Sequence, residues 1–410
     1  MAELNLKLQR TIYDLQTFTS GEKLVLLCVL ALFLPFQYAA VAIALLLLIP
    51  LSKGELWPAI LKQHGAKWFY AFVILEIAVS TYYKNWIGLL NAGGYLLVGF
   101  FVAYYRKELN PKLFNYVVHI MVFMSLFEAV WGCVEFYRIS TRNGFDFFDF
   151  VIANRPKDRI NGTFMNAAFY GTMIDFFLIF CCYEFLRDKN INKRVYYLTC
   201  AAINFFMLIL TGTRGALLPL IFIIPVFLWF HKKKTHFWIC VTLELIVGIL
   251  ILFNPEVIPR FEDLGTVNSR VKIWHTALLG IAAWPFFGQG PQTYGNIYKL
   301  FNGHKAPHAH NVYLDVLLSF GIVGTALLGG YTLSLLKEIF SIYNYREEKL
   351  FFPMIICFVL VALVQGLVDN TLNFLVTGTT FALVLNSACM YSNPRPRRRQ
   401  FKLFASIKPN

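Results

Sequence analysis

Charge is scarce in this chain. Only 15% of its 410 residues are Asp, Glu, Lys or Arg, where a soluble globular domain carries nearer a quarter. Acid is scarcer than base, 23 residues against 37, for a formal net charge of +14. The length alone suggests two or three soluble domains. Long apolar runs with almost no charge exclude that reading, because many reach the length needed to cross hydrocarbon. The chain also has no CxxC pair. Its eight cysteines, Cys28, Cys133, Cys181, Cys182, Cys200, Cys240, Cys357 and Cys389, all fall in apolar segments. That pattern excludes a thiol zinc or redox site and leaves small apolar packing residues. Residues 1–19 are polar and carry no A-x-A-like site, so no cleavable signal peptide is expected. No repeat of 20–50 residues is visible.

What is present is hydrophobic, at 58% of residues. Twelve apolar segments can be drawn: 22–36, 37–51, 68–83, 86–105, 113–137, 167–186, 195–212, 215–231, 236–253, 312–336, 350–368 and 373–391. In lipid these must be helices, since strands would leave backbone groups unpaired. The expected fold class is therefore all-α: a polytopic membrane protein of about twelve transmembrane helices. Residues 1–410 form a single membrane domain. An external loop, 254–311, joins helices nine and ten, and 392–410 form a basic cytoplasmic tail. With both termini inside, 25 of the 37 Lys and Arg residues fall on the inner side, most clearly at Lys232, Lys233 and Lys234 and at Arg397, Arg398 and Arg399. On a soluble protein the basic surplus would point to nucleic acid. Here it sits in short loops that set orientation, so the bilayer is the expected partner and nucleic acid is not.

Twelve spans also fit a transporter, often built as two six-span halves joined by a long cytoplasmic connection. Here the connection after the sixth span is short, and the longest loop is the external one after the ninth. A transporter would run on buried acids such as Glu76 and Asp175.

The outer basic residues are uneven. Most occupy two loops, 138–166 and 254–311, while Arg214 stands alone in the turn between spans seven and eight. A bare charge at that depth is costly unless partnered. Its plain alternative is a snorkelling interfacial Arg. Arg270 lies in a stretch with apolar residues at Val267, Ile273, Trp274, Ala277 and Leu278, the spacing of an amphipathic helix lying on a membrane. The second loop ends in His304, His308 and His310. Their spacing crosses a proline and matches no usual helical metal pair, so no metal and no cofactor are expected. A neutral imidazole suits general-base work on a hydroxyl.

His310 and Asn311 are followed, nine residues on, by Gly321, Gly324 and Thr325, giving H-N-x9-G-x-x-G-T. This resembles the signature of the O-antigen ligase family and the related lipid-linked polysaccharide polymerases. Other segments agree. Thr211 to Ala216 is similar to the family's [ST]-x-[ST]-R-G turn. Arg270 and Trp274, then Pro285, Gly288, Gly290 and Tyr294, resemble its R-x-x-x-W…P-x-x-G-x-G-x-x-x-[YF] loop. Arg159, Gly162, Thr163, Phe164 and Asn166 resemble its R-x-x-G-T-F-x-N run.

The resemblance implies a bacterial inner-membrane enzyme, active on the periplasmic or outer face, that transfers a glycan with inversion. The donor would be a polyprenyl-diphosphate-linked glycan and the acceptor a lipid or saccharide hydroxyl. It implies His310 as the catalytic base and Arg214, Arg270 and Arg159 as diphosphate binders. Asn311, Asp315, Gly321 and Gly324 would support them: the glycines by close helix packing, Asp315 as a candidate to orient His310. Asp369, at an outer helix end, is a candidate partner for an arginine. The physics agrees with these roles. A diphosphate leaving group needs no acid, arginine forks suit its oxygens, and only the acceptor hydroxyl needs a base. A repeat-unit polymerase and a protein-glycosylating ligase remain open as alternatives, since they differ in the acceptor.

Overall fold

The structure is a computed structural model that describes residues 16–147, 158–254, 264–343, 345 and 348–392. The side chains of 264–267 are left aside, and most of the basic tail lies outside the described residues. All regular elements among the described residues are helices. They are α1 (Ser20–Ala31), α2 (Phe36–Ser52), α3 (Leu56–Lys62), α4 (Ala66–Tyr82), α5 (Trp86–Glu108), α6 (Pro111–Arg142), α7 (Ala167–Arg187), α8 (Ile191–Thr211), α9 (Arg214–Leu217), α10 (Leu220–Phe230), α11 (Lys234–Phe253), α12 (Leu264–Ala283), α13 (Thr293–Ile297), α14 (Val312–Ser341), α15 (Phe351–Gly366), α16 (Leu375–Asn386) and α17 (Cys389–Ser392).

Each of the twelve drawn segments is helical, so the chain is a polytopic all-α membrane protein. The count of twelve is not reproduced at spanning length. Among the described residues, seven helices are long and apolar enough to cross a membrane: α5, α6, α7, α8, α11, α14 and the α16–α17 run. An eighth results if α2 and α3, bent 95° apart, make one broken span. The other apolar helices are shorter, and hydropathy alone does not reveal where a chain bends.

Side-chain oxygens start several of these helices by accepting an orphan N–H of the first turn. Asn110 accepts from Leu113, Asn166 from Ala168 and Asn311 from Leu314. The centre of the bundle is α7, with 72% of its apolar window buried. It packs along α8 and against α15. Phe176 stacks on Phe358 with centroids 4.5 Å apart, and Phe169 on Phe374 at 4.3 Å. At the other extreme α11 has no buried residue and touches α10. A helix apolar all round with that exposure is one that faces lipid.

At one end of the bundle Arg106 makes a two-pronged bond to Glu338 (2.8 and 2.9 Å) and a third to Asn386 (3.0 Å). This locks α5, α14 and α16 together. At the opposite end the start of α7, the end of α8, the end of α15 and the start of α14 meet around a cavity.

The segment between α11 and α14 is itself folded. Ile273 and Ala277 of α12 join Tyr294, Ile297, Ala306, Ala309 and Leu318 in a small apolar core. So α12 does not simply lie on a membrane: Ile273 and Ala277 face this core, while Val271 and Leu278 are exposed.

Candidate active site

The cavity at that end has a volume of about 470 Å³ and is lined by Arg159, Arg214, Arg270, Lys305 and His310 among others. All three predicted arginines and the predicted base therefore share one space. Among the described residues, Asp369 is the single acidic one in its lining. The strong cationic excess suits a multiply charged anion.

Arg214 is presented by a tight helix-to-helix turn. Gly212 caps α8 in the left-handed region at φ 58°. Thr211 Oγ1 donates to the Leu208 carbonyl (2.7 Å) and accepts from the Thr213 N–H (3.2 Å). Thr213 Oγ1 donates to the Ala167 carbonyl (3.0 Å). The hydroxyls of the T-G-T-R-G turn thus fix the backbone from which Arg214 projects.

Arg159 sits on the loop before α7, and two carboxylates of α6 grip that loop. Glu135 accepts from the N–H groups of Asn161 (2.8 Å) and Gly162 (3.0 Å). Glu128 accepts from the Thr163 N–H (3.1 Å) and the Thr163 hydroxyl (2.8 Å). Ile160 and Phe164 are fully buried beneath it. These acids fall inside a drawn span, where the transporter reading would look for an ion path. The structure occupies them with backbone donors instead.

His310 lies just before α14, in the left-handed region at φ 46°. A non-glycine residue there stores strain and persists only where its surroundings hold it. Several contacts do so. Tyr294 Oη donates to the His304 carbonyl at 2.8 Å. Asn311 Nδ2 donates to the Leu367 carbonyl at 3.0 Å. Asp315 accepts from the Ala309 N–H (3.0 Å) and from the Asn370 side-chain amide. Asp315 therefore does not touch His310. Together with Asn311 it binds the His310 loop to the segment after α15, and so brings Asp369 to the ring.

The ring partner is Asp369, whose Oδ1 lies 3.1 Å from His310 Nδ1. With Nδ1–H donating to that carboxylate, Nε2 keeps its lone pair, as a base requires. Burial opposes charge on Asp369. The His310 hydrogen bond, the fields of His310 and His308 and the Asn370 N–H outweigh it and hold the carboxyl down at about 2. The His308 ring lies tilted 56° against that of His310 with centroids 4.4 Å apart, and its Nδ1 accepts the His310 N–H at 3.2 Å. Burial and the neighbouring His310 pull the His308 pKa down, against the field of Asp369. A neutral His308 is the form that accepts that bond.

His308, His310 and Asp369 also present ligand atoms within 4.8 Å of one another, a geometry a metal ion fits. It is not the three-histidine set considered from sequence, since His304 is not among its members. The sequence could not show that Asp369, 59 residues away, completes the group.

The two signature glycines do different jobs. Gly324 lets α14 approach α4 closely: a Cβ there would lie 3.1 Å from Glu76 Oε1. Gly321 instead breaks α14, with φ 59° and ψ −170°. The break frees the N–H groups of Ile322 and Val323 to donate to the carbonyls of Pro285 (2.8 Å) and Phe286 (2.9 Å). The P-F-F-G-Q-G segment is thereby hydrogen-bonded into the helix. A Cβ on Gly288 would lie 2.2 Å from the Ser319 carbonyl oxygen.

Comparison with known proteins agrees with the motifs. Residues 199–329 match the family described as O-Antigen ligase. The chain is also 23% identical over 312 residues to a protein of Acinetobacter baylyi named ComP-specific O-oligosaccharyltransferase. That alignment takes in 71% of this chain and 55% of the relative, so the chain spans little more than half of the relative's length. The family match contains every predicted site residue except Arg159: His310, Arg214, Arg270, Asn311, Asp315, Gly321 and Gly324. The likeness to the O-antigen ligase family read from the sequence motifs is therefore borne out, over the segment that builds most of the cavity.

Proposed function

We propose that this chain is a membrane glycosyltransferase that moves a glycan from a polyprenyl (undecaprenyl) diphosphate carrier to an acceptor hydroxyl, on the outer face of a bacterial cytoplasmic membrane. The observation that carries this reading is the cavity itself, which gathers three arginines around a histidine whose Nδ1 is held by a half-buried carboxylate. Arg214, Arg270 and Arg159 take the diphosphate oxygens and stabilise the charge that grows as the glycosidic oxygen leaves. His310 Nε2 removes the proton of the acceptor hydroxyl as that oxygen attacks the anomeric carbon from the opposite side, inverting it. Asp369 holds the imidazole in the tautomer that can do so and stabilises the cation that forms. No metal enters this scheme, in which His310 Nδ1 is engaged with Asp369.

The acceptor is a lipid core or another envelope hydroxyl. A second reading has a specific support: the relative is named a ComP-specific O-oligosaccharyltransferase, and a protein hydroxyl is the alternative acceptor. A polymerase would use the growing glycan itself. Reconstituted chain, given a polyprenyl-diphosphate oligosaccharide in chelator with lipid A core, with a Ser- and Thr-containing protein acceptor or with donor alone, separates these. Glycan on the lipid core marks a ligase, glycan on the protein an oligosaccharyltransferase, and a ladder a polymerase. His310→Ala is expected to lower turnover by about 10²–10⁴-fold. Turnover equal to wild type would remove His310 from the mechanism, and loss of wild-type activity in chelator would restore a metal.

A further inference from the structure

Of the three histidines that close the external loop, His310 is the base and His304 lends its carbonyl to Tyr294. His308 has no part in the proposed transfer, and it is not among the described residues that line the cavity. Yet both of its ring nitrogens are turned to the His310–Asp369 pair. Nδ1 lies 3.2 Å from the His310 backbone nitrogen and Nε2 3.8 Å from Asp369 Oδ1. The first contact fixes where the proton of the ring sits. A backbone N–H can only donate, so Nδ1 holds the lone pair and the neutral ring carries its hydrogen on Nε2. The nitrogen that faces Asp369 is therefore a donor, too distant for a hydrogen bond. A metal ion held by these groups would need lone pairs on His308 Nε2 and His310 Nδ1, and so would displace both hydrogens.

The Nδ1 contact acts on the backbone of the base. His310 stands at φ 46°, a region that a residue with a bulky side chain keeps only where it is held. Its N–H is held by His308 and its ring by Asp369, the latter at 3.1 Å. Rotation about φ carries Cβ and the ring with it, relative to the preceding chain. Releasing the N–H therefore frees the ring to leave Asp369. Ala309, between the two histidines, is fully buried, and its N–H is taken by Asp315. His308 thus grips His310 from a fixed point.

We propose that His308 is a positioning residue, whose Nδ1 holds the His310 backbone in the left-handed conformation that keeps the base against Asp369. This rests on the glycosyltransferase reading above, in which His310 Nε2 takes the acceptor proton. His308 acts through His310 and exchanges no proton with substrate. The role belongs to one atom of the ring, the acceptor at the δ position, and that makes it separable from the bulk of the side chain.

The test uses the reconstituted full chain in chelator, with a polyprenyl-diphosphate oligosaccharide as donor and the three acceptor conditions given above. Three variants are compared. His308→Asn keeps an acceptor oxygen where Nδ1 stands. His308→Gln carries its amide to where Nε2 stands and leaves the Nδ1 position without an acceptor. His308→Ala removes both. His308→Ala and His308→Gln are expected to lower kcat by about 10- to 10²-fold, the cost of a base slightly out of line. The donor KM should change little, because the arginines are untouched. His308→Asn is expected to stay within a few fold of wild type. Melting temperatures of all three should lie near that of wild type, which a merely structural role would not give. An unchanged kcat in His308→Ala, a His308→Asn no better than His308→Gln, or a loss carried by KM would each overturn the assignment. Should His308→Ala fail to fold, the contrast between asparagine and glutamine decides alone. His310→Ala run in parallel separates the two levels. If it is inactive while the His308 variants turn over as wild type does, this inference fails alone. If it transfers as wild type does, or if wild type transfers nothing, the underlying reading fails.

Discussion

At the residue scale the site turns on one pair, His310 and Asp369. Folding lowers the Asp369 carboxyl from an ordinary value near 3.8 to about 2. A group depressed in this way stabilises the fold above its unfolded pKa and loses that contribution as pH falls through the folded one. The melting temperature in detergent is therefore expected to drop between about pH 4 and pH 2, and Asp369→Asn to flatten the drop in that window. At neutral pH the same variant should cut turnover by about 10²-fold, because an amide no longer selects the tautomer or balances the imidazolium. An unchanged rate with a flattened melting curve would make the pair structural only. His310 itself was legible in the sequence because it stands in a local motif. Asp369 was legible only as an outer acid and a candidate partner for an arginine, whereas it pairs with His310. Nothing short-range links residues 310 and 369; the link runs through Asp315, Asn370, Asn311 and Leu367, which is tertiary information.

Elements deliver those residues by two devices. One is the broken α14. Alanine at Gly321 would have to adopt φ 59° with its Cβ 2.4 Å from the Phe286 carbonyl carbon. Gly321→Ala is thus expected to destabilise by about 3 kcal/mol or more. Gly329→Ala, in open space on the same helix, should change little. Thermal melts followed by size-exclusion recovery would show the contrast, and equal melts would refute it. The other device is the grip of Glu128 and Glu135 on the Arg159 loop. If it serves to place Arg159, Glu135→Gln should raise the donor KM about 10-fold, and should add little further once Arg159→Ala is present. Additive losses would mean that the two acids hold the bundle and not the arginine. Helix existence was readable from apolar length. The break at Gly321 was read from sequence as close helix packing, because a lone glycine in an apolar run looks the same in either role until the backbone shows its φ.

The whole molecule has two chemically different ends. Arg106 and Glu338 close one, and the cavity opens at the other. Single cysteines in a background without the eight native ones test how it sits in the membrane. A cysteine at Lys233 is expected to be labelled by an impermeant maleimide only from the cytoplasm, and one at Lys305 only from outside. Labelling of both from one side would overturn the orientation. The cluster of cations on one side was visible in the sequence, because span ends can be counted. The count of spans was not, since short apolar helices and the 95° bend satisfy hydropathy without each crossing the bilayer.

Asp369 lies beyond α15, close to the end of the chain. A ribosome inserting this protein from its N-terminus installs Arg159, Arg214, Arg270 and His310 long before the carboxylate that turns the imidazole toward its task. A nascent chain stalled before residue 369 holds every cation of the site and no oriented base. On the proposed mechanism, the order of synthesis therefore leaves the half-built protein with its cations laid down and its base not yet oriented.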